Sequence, residues 1–214
     1  LGAKIATNGQ WHFHETDSVS YKFKRALLHY EDRNFYNHIG VDPKGIARAF
    51  LSNIKHKRRQ GGSTISMQIA RMSNSKGQRT YLKKIKEIIF SIRLELSYSK
   101  KKILKIYASN APFGGNIIGI EAASWRYFGK PHTGLSWSES AMLAVLPNAP
   151  GLIHPGRSRS ALEDKRNRLL KSMHEHGIIS LEDYSLAILE ELPTKPKPLP
   201  QIAPHLLDLC IKKN

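Results

Sequence analysis

Apolar residues return at three- and four-residue spacing in one segment after another, and they almost never alternate. Phe23, Ala26, Leu27 and Tyr30 set this spacing first; Ile85, Ile88, Ile89, Ile92 and Leu96 set it most strongly. That period places a stripe on one face of a helix, whereas a half-buried strand needs a period of two. The chain is therefore expected to be mainly α-helical. Helix ends are legible as well. Asp42 and Pro43 open a helix carrying Ile46, Phe50, Leu51 and Ile54, and Ser99 caps the stretch "KKKILKIYAS". Ser136 and Glu139 have capping-box spacing before an apolar helix stopped by Pro147; Gly129 and Gly177 are further stops. Two more helices are expected over about 158–176 and 181–191. "PTKPKPLP", at 193–200, is a proline-rich spacer in which no helix can form. This divides the chain into a domain over 1–192 and a spacer with the start of a linker over 193–214.

Hydrophobic residues make up 40% of the 214, enough for a packed core. Lys and Arg number 34 against 17 acids, a formal charge of +17, which predicts partners bearing phosphate or another negative charge. The one cysteine, Cys210, excludes an intrachain disulfide. No run approaches the length of a membrane-spanning helix. The chain opens without an initiator Met and reads as a fragment lacking its targeting segment.

Glu31 and Asp32 stand together where the first helix should end, beside Phe35, Tyr36 and His38. Glu31 is either a plain helix-end acid, slightly unfavourable at that dipole end, or a partly desolvated carboxylate suited to proton transfer. "RQGGST" ends in two glycines and Ser-Thr at a helix start, preceded by Arg58 and Arg59 and followed by Arg71. Locally it reads as a glycine turn with a serine cap; the alternative is an anion cradle. Glu87 and Lys83 share a helix face turned away from the isoleucines, as a solvated ion pair or as the charged lining of a phosphate site. Glu95, His29 and His38 read as structural. No spacing of His, Cys, Asp or Glu marks a metal site. "KHKRRQ" lacks interleaved aromatics and any nucleic-acid-binding signature, so no nucleic-acid partner is expected.

In sequence order these pieces resemble the peptidoglycan glycosyltransferase domain of class A penicillin-binding proteins. The family's Glu-Asp-x-x-Phe-x-x-His-x-Gly falls on "EDRNFYNHIG", 31–40. Its Gly-Gly-Ser-Thr followed by Gln falls on "GGSTISMQ", 61–68, and its basic Lys-x-x-Glu helix on Lys84 to Glu87. Lys-x-x-Ile-Leu-x-x-Tyr falls on 100–107, and "APFGG", "GIEAASWRYFGK", "SESAMLAVLPNAP" and Met67 look most like the type-C branch. Lys105 stands where the family often has an acid, Ser109 where it has asparagine, and Arg71 where lysine is common.

The resemblance implies a lysozyme-like helical larger lobe, a smaller membrane-associated jaw, and a long cleft between them. It implies an inverting transferase that polymerises lipid II into β-1,4 glycan on the outer face of the bacterial cytoplasmic membrane. The growing lipid-linked strand is the donor, undecaprenyl pyrophosphate leaves, and a transpeptidase domain follows in the full-length chain. Glu31 is implied as the base and Glu87 as the second catalytic carboxylate, acting directly or through a divalent cation (Mg or Mn). Arg59, Ser63, Thr64, Gln68, Arg71, Lys83 and Lys84 are the implied substrate- and pyrophosphate-binding set. Asp32, Phe35, His38, Gly61 and Gly62 are implied as support. A lysozyme-like glycan hydrolase and a non-enzymatic basic module binding membrane or nucleic acid are the alternatives.

Overall fold

The computed structural model describes residues 4–5, 10–13, 16–47, 62–73, 80–147, 159–194 and 197–198. Helices dominate them: α1 (Tyr21–Glu31), α2 (Ile65–Ser73), α3 (Tyr81–Ser97), α4 (Lys100–Asn110), α5 (Ile120–Phe128), α6 (Trp137–Val145), α7 (Arg159–Glu175) and α8 (Leu181–Leu189). Residues 43–47 are also helical; Phe50, Leu51 and Ile54 of the expected stripe lie outside the described residues. The strand content is a small sheet in the order β1 (Lys4–Ile5), β2 (Trp11–His12), β3 (Ile117–Ile118), antiparallel then parallel. Lys4 pairs with His12 and Trp11 with Ile117.

The caps read at Ser99 and Ser136 are where they were expected; before α2 the capping hydroxyl is that of Thr64, not the serine read from sequence. Ser99 Oγ accepts from Lys102 N, and Ser136 with Glu139 closes a reciprocal capping box at the start of α6. Gly129 ends α5 at φ +72° and Gly177 follows α7 at φ +64°, conformations that a side chain would strain. α6 is buried at every position but Glu139, which fits its apolar run from Ala141 to Val145. It packs against α1 and α7, and α8 closes over α7. Phe23, Leu27, Leu143, Leu162 and Leu170 form part of the core, each fully buried side chain stabilising by roughly 1.5–3 kcal/mol.

α3 departs from the usual amphipathic arrangement. The isoleucine stripe turns outward: Ile85 is 53% exposed, Ile89 55% and Leu96 74%. On its inward side Ser91 and Leu94 are buried, Glu95 accepts from Ser66 of α2 and pairs with Lys100 of α4, and Lys84 donates to Ser63 before α2. The periodicity located the helix correctly, yet the face it marked is not the core face. No helix among the described residues is long and apolar enough to cross a membrane.

Arg159 and Arg166 of α7 hold the stretch after α8. Arg159 donates to the carbonyls of Leu192 and Pro193, and the fully buried Arg166 donates to Glu190 O and Ser138 Oγ. Lys197, inside the proline-rich segment, exchanges two hydrogen bonds with Arg126 and donates its Nζ to Phe128 O at 3.0 Å, capping α5.

Candidate active site

α1 stops at Glu31 because Asp32 leaves helical geometry, at φ −157° and ψ 76°, while its amide still closes on Leu28 O. The buried Asp32 carboxylate works in two directions. His38 Nε2 lies 3.0 Å from both oxygens, and Oδ2 accepts from Ile65 N at 3.1 Å, capping α2 across the fold. Thr64 Oγ1 donates to Gly40 O at 2.6 Å and accepts from Met67 N at 3.2 Å. Two of the first amides of α2, those of Ile65 and Met67, thus serve Asp32 and Thr64.

The Glu31–Gly40 turn is pressed against α3 and α4. Gly40 sits at φ +78°, and a Cβ there would meet the Ser91 carbonyl at 2.7 Å, so the approach requires glycine. Lys100 gathers the turn: its Nζ donates to His38 O at 2.7 Å, pairs with Glu95 at 2.6 Å and lies 4.3 Å from the centre of the Phe35 ring. Ser66 Oγ donates to the same Glu95 at 2.6 Å. Glu95 and His38 thus join the turn to α2 and α4 through Ser66, Asp32 and Lys100.

Glu31 Oε2 accepts from Gln68 Nε2 at 2.8 Å, and Tyr107 OH reaches Gln68 Oε1 at 3.4 Å, which orients the amide. Glu31 Oε1 is buried and has no hydrogen-bond partner among the described residues. Burial pushes the Glu31 carboxyl up to about 7; the neighbouring Asp32 charge adds to this, against the Gln68 hydrogen bond, Arg71 and Lys165. Burial likewise drives the Tyr107 phenol well above its ordinary value, keeping it a neutral donor.

α2 and the coil that leads into it carry both sides of the site. Gln68 meets Glu31, and Arg71 in the last turn lies close enough to influence its charge. At the other end Ser63 Oγ accepts from Lys84 Nζ at 3.0 Å, and Lys84 is 3.4 Å from Glu87. Ala70, Lys83, Lys86, Glu87 and Phe90 line a small pocket between α2 and α3. Among the described residues no cluster of three or more potential metal ligands occurs. Arg59 and Gly61 lie outside the described residues; Gly62 precedes Ser63 in the coil before α2. Sequence reasoning missed Tyr107 and Lys100, although both stand in the quoted motif over 100–107. It missed Lys165 for want of any local signal, since α7 comes from the far end of the chain.

A model of the transglycosylase family matches residues 3–174. The chain belongs to the transglycosylase family. Penicillin-binding protein 1C of Escherichia coli is 41% identical over 97% of this transglycosylase chain and 27% of its own length. Penicillin-binding protein 1A of Aquifex aeolicus is 37% identical over 90% of this chain and 27% of its own length, and that of Pseudomonas aeruginosa 39% over 79% and 21%. The chain thus spans about a quarter of the length of these relatives. A crystal structure of penicillin-binding protein 1A from Haemophilus influenzae aligns with 69% of this chain and 19% of that one, at 25% identity and a TM-score of 0.43, too low to support a fold comparison.

Proposed function

We propose that this transglycosylase polymerises lipid II into β-1,4 glycan strands with inversion, releasing undecaprenyl pyrophosphate. One observation carries the reading: the buried, unpartnered Oε1 of Glu31, on a carboxyl poised at about 7. A sugar hydroxyl is a poor nucleophile at neutral pH and needs a base within hydrogen-bond reach whose pKa lies near the working pH. Gln68 holds Oε2, which leaves Oε1 for the acceptor 4-hydroxyl.

As the acceptor oxygen bonds to the donor's anomeric carbon, its proton passes to Glu31 and the bond to pyrophosphate breaks. The pyrophosphate takes that electron pair and needs charge neutralisation rather than an acid. Arg71, Lys83 and Lys84 supply it, with Ser63 as a hydroxyl donor. Thr64 serves by fixing the start of α2. Glu87 sits 3.4 Å from the Lys84 ammonium with Lys83 and Lys86 beside it. A single carboxylate among ammonium groups does not suit a divalent cation, and no step runs through one.

The same reading places the domain on the outer face of the cytoplasmic membrane. The outward apolar residues of α3, with Lys86 and Arg93 on the same helix, form the jaw surface that rests on lipid. The cleft between the lobes holds the strand, and a transpeptidase domain is the proposed companion in the full-length protein. The test is incubation with labelled lipid II: polymer is expected, with at least about a hundredfold loss in Glu31→Gln. Cleavage of preformed glycan instead would make the protein a hydrolase. Salt-sensitive DNA binding without turnover would make it a binding module.

A further inference from the structure

The turn that carries Glu31 is held from a second side by residues the proposed chemistry does not use. A helix ending at Glu31 leaves the His29 carbonyl without the amide that would continue the ladder. Arg33 fills the gap: its Nε donates to His29 O at 3.1 Å. The rest of the guanidinium spans to α7. Nη1 lies 3.1 Å from His176 Nε2; Nη2 lies 3.3 Å from His29 Nε2 and 3.3 Å from Ser172 Oγ. His29 Nε2 is also 2.9 Å from Ser172 Oγ, and the two imidazoles meet edge to face with centres 4.9 Å apart.

A guanidinium only donates, so each histidine must offer Nε2 as a lone pair. His176 Nδ1 then donates to Ser172 O at 2.8 Å, which fixes its neutral tautomer. His29 is neutral too: burial first, then neighbouring positive charge with Arg33 foremost, bring it down to about 4. Toward this end α7 also carries Arg168, Lys171 and Glu175, the last two 3.9 Å apart. The Arg33 cation itself stands at the C-terminal ends of α1 and α7, where both helix dipoles favour it.

We infer that Arg33, clasped between His29 and His176, is a positioning residue that aims Glu31 by tying the end of α1 to the end of α7. This rests on the reading of Glu31 as the base. α7 also carries Lys165, whose charge acts on Glu31, so the clasp sets that spacing as well. If the clasp opens, Oε1 loses its aim and the carboxyl gains water, which returns its titration toward the ordinary carboxylate range.

The test compares Arg33→Met, which keeps length without donors, and Arg33→Lys, whose single ammonium cannot bridge both rings. His176→Gln retains an acceptor and His176→Leu removes it. In lipid II polymerisation from pH 5 to 9, Arg33→Met and Arg33→Lys should lower kcat about tenfold while KM changes less than about twofold. The acid limb of kcat/KM should move down by about one pH unit or more. His176→Leu should follow them and His176→Gln should track the wild type; this pair decides the matter if the Arg33 variants do not fold. Folded variants with wild-type kcat and an unmoved acid limb overturn the inference. Wild-type protein inert toward lipid II would instead sink the glycosyltransferase reading. The clasp is then judged by 13C NMR titration of the Glu31 carboxyl: a lower midpoint in Arg33→Met upholds it, an unchanged one overturns it.

Discussion

Replacing Glu31 by Gln should cost the protein its activity and remove a pH-dependent weakness in its fold. In the unfolded chain the carboxyl titrates at its ordinary 4.5, and in the folded protein at about 7. Between these values the folded state binds more protons than the unfolded state, so stability falls as pH rises. The loss begins near 4.5 and is complete above about 7. The difference of 7 − 4.5, or 2.5 pH units, at about 1.4 kcal/mol each, amounts to roughly 3.5 kcal/mol. Glutamine cannot ionise, so the variant escapes this term. It also leaves an amide where Oε1 was unpartnered, an offset of about 1–3 kcal/mol that does not vary with pH. The informative quantity is therefore the change with pH. Urea unfolding of both proteins at pH 5 and pH 8 should show the wild type losing about 2–3 kcal/mol relative to Glu31→Gln over that interval. Parallel stability curves would refute the claim that burial governs Glu31.

Gln68→Leu removes a hydrogen bond that favours the Glu31 carboxylate, so the acid limb of polymerisation should move up from about 7; an unmoved limb would separate Gln68 from Glu31. Arg71→Ala should weaken binding of a pyrophosphate-lipid mimic about tenfold or more by titration calorimetry, and unchanged affinity would move the phosphate site elsewhere. Gly40→Ala places a Cβ against α3 backbone at positive φ and should destabilise by more than about 2 kcal/mol in urea unfolding; a shift under about 0.5 kcal/mol would show that the turn can move away.

Local signals were read well because local physics decides them. Ser99, Ser136, Glu139, Gly129 and Gly177 mark helix ends through hydrogen bonds and φ preferences confined to a few residues. The placement of Glu31 at a helix end was equally visible. What the one-dimensional pattern could not hold was the direction of burial. The isoleucines of α3 have a clear period, but period does not say whether core or solvent lies beyond them; here the neighbours of α3 take its polar face. Asp32 was read as support for its own turn, whereas its carboxylate also caps a helix that begins at Ile65. Lys165 and the Arg33–His176 contact join residues from opposite ends of the sequence, and no spacing rule connects them.

The outward face of α3 has a consequence for handling the protein. With a net charge of +17, copies repel one another, and that repulsion keeps Leu82, Ile85, Ile89 and Leu96 of separate molecules apart. Salt shortens the reach of the repulsion from about 8 Å at physiological strength to about 3 Å at 1 M, while it strengthens apolar association. The usual remedy for a sticky basic protein, more salt, should therefore drive this one to self-associate, and dilute buffer or a mild detergent should keep it dispersed.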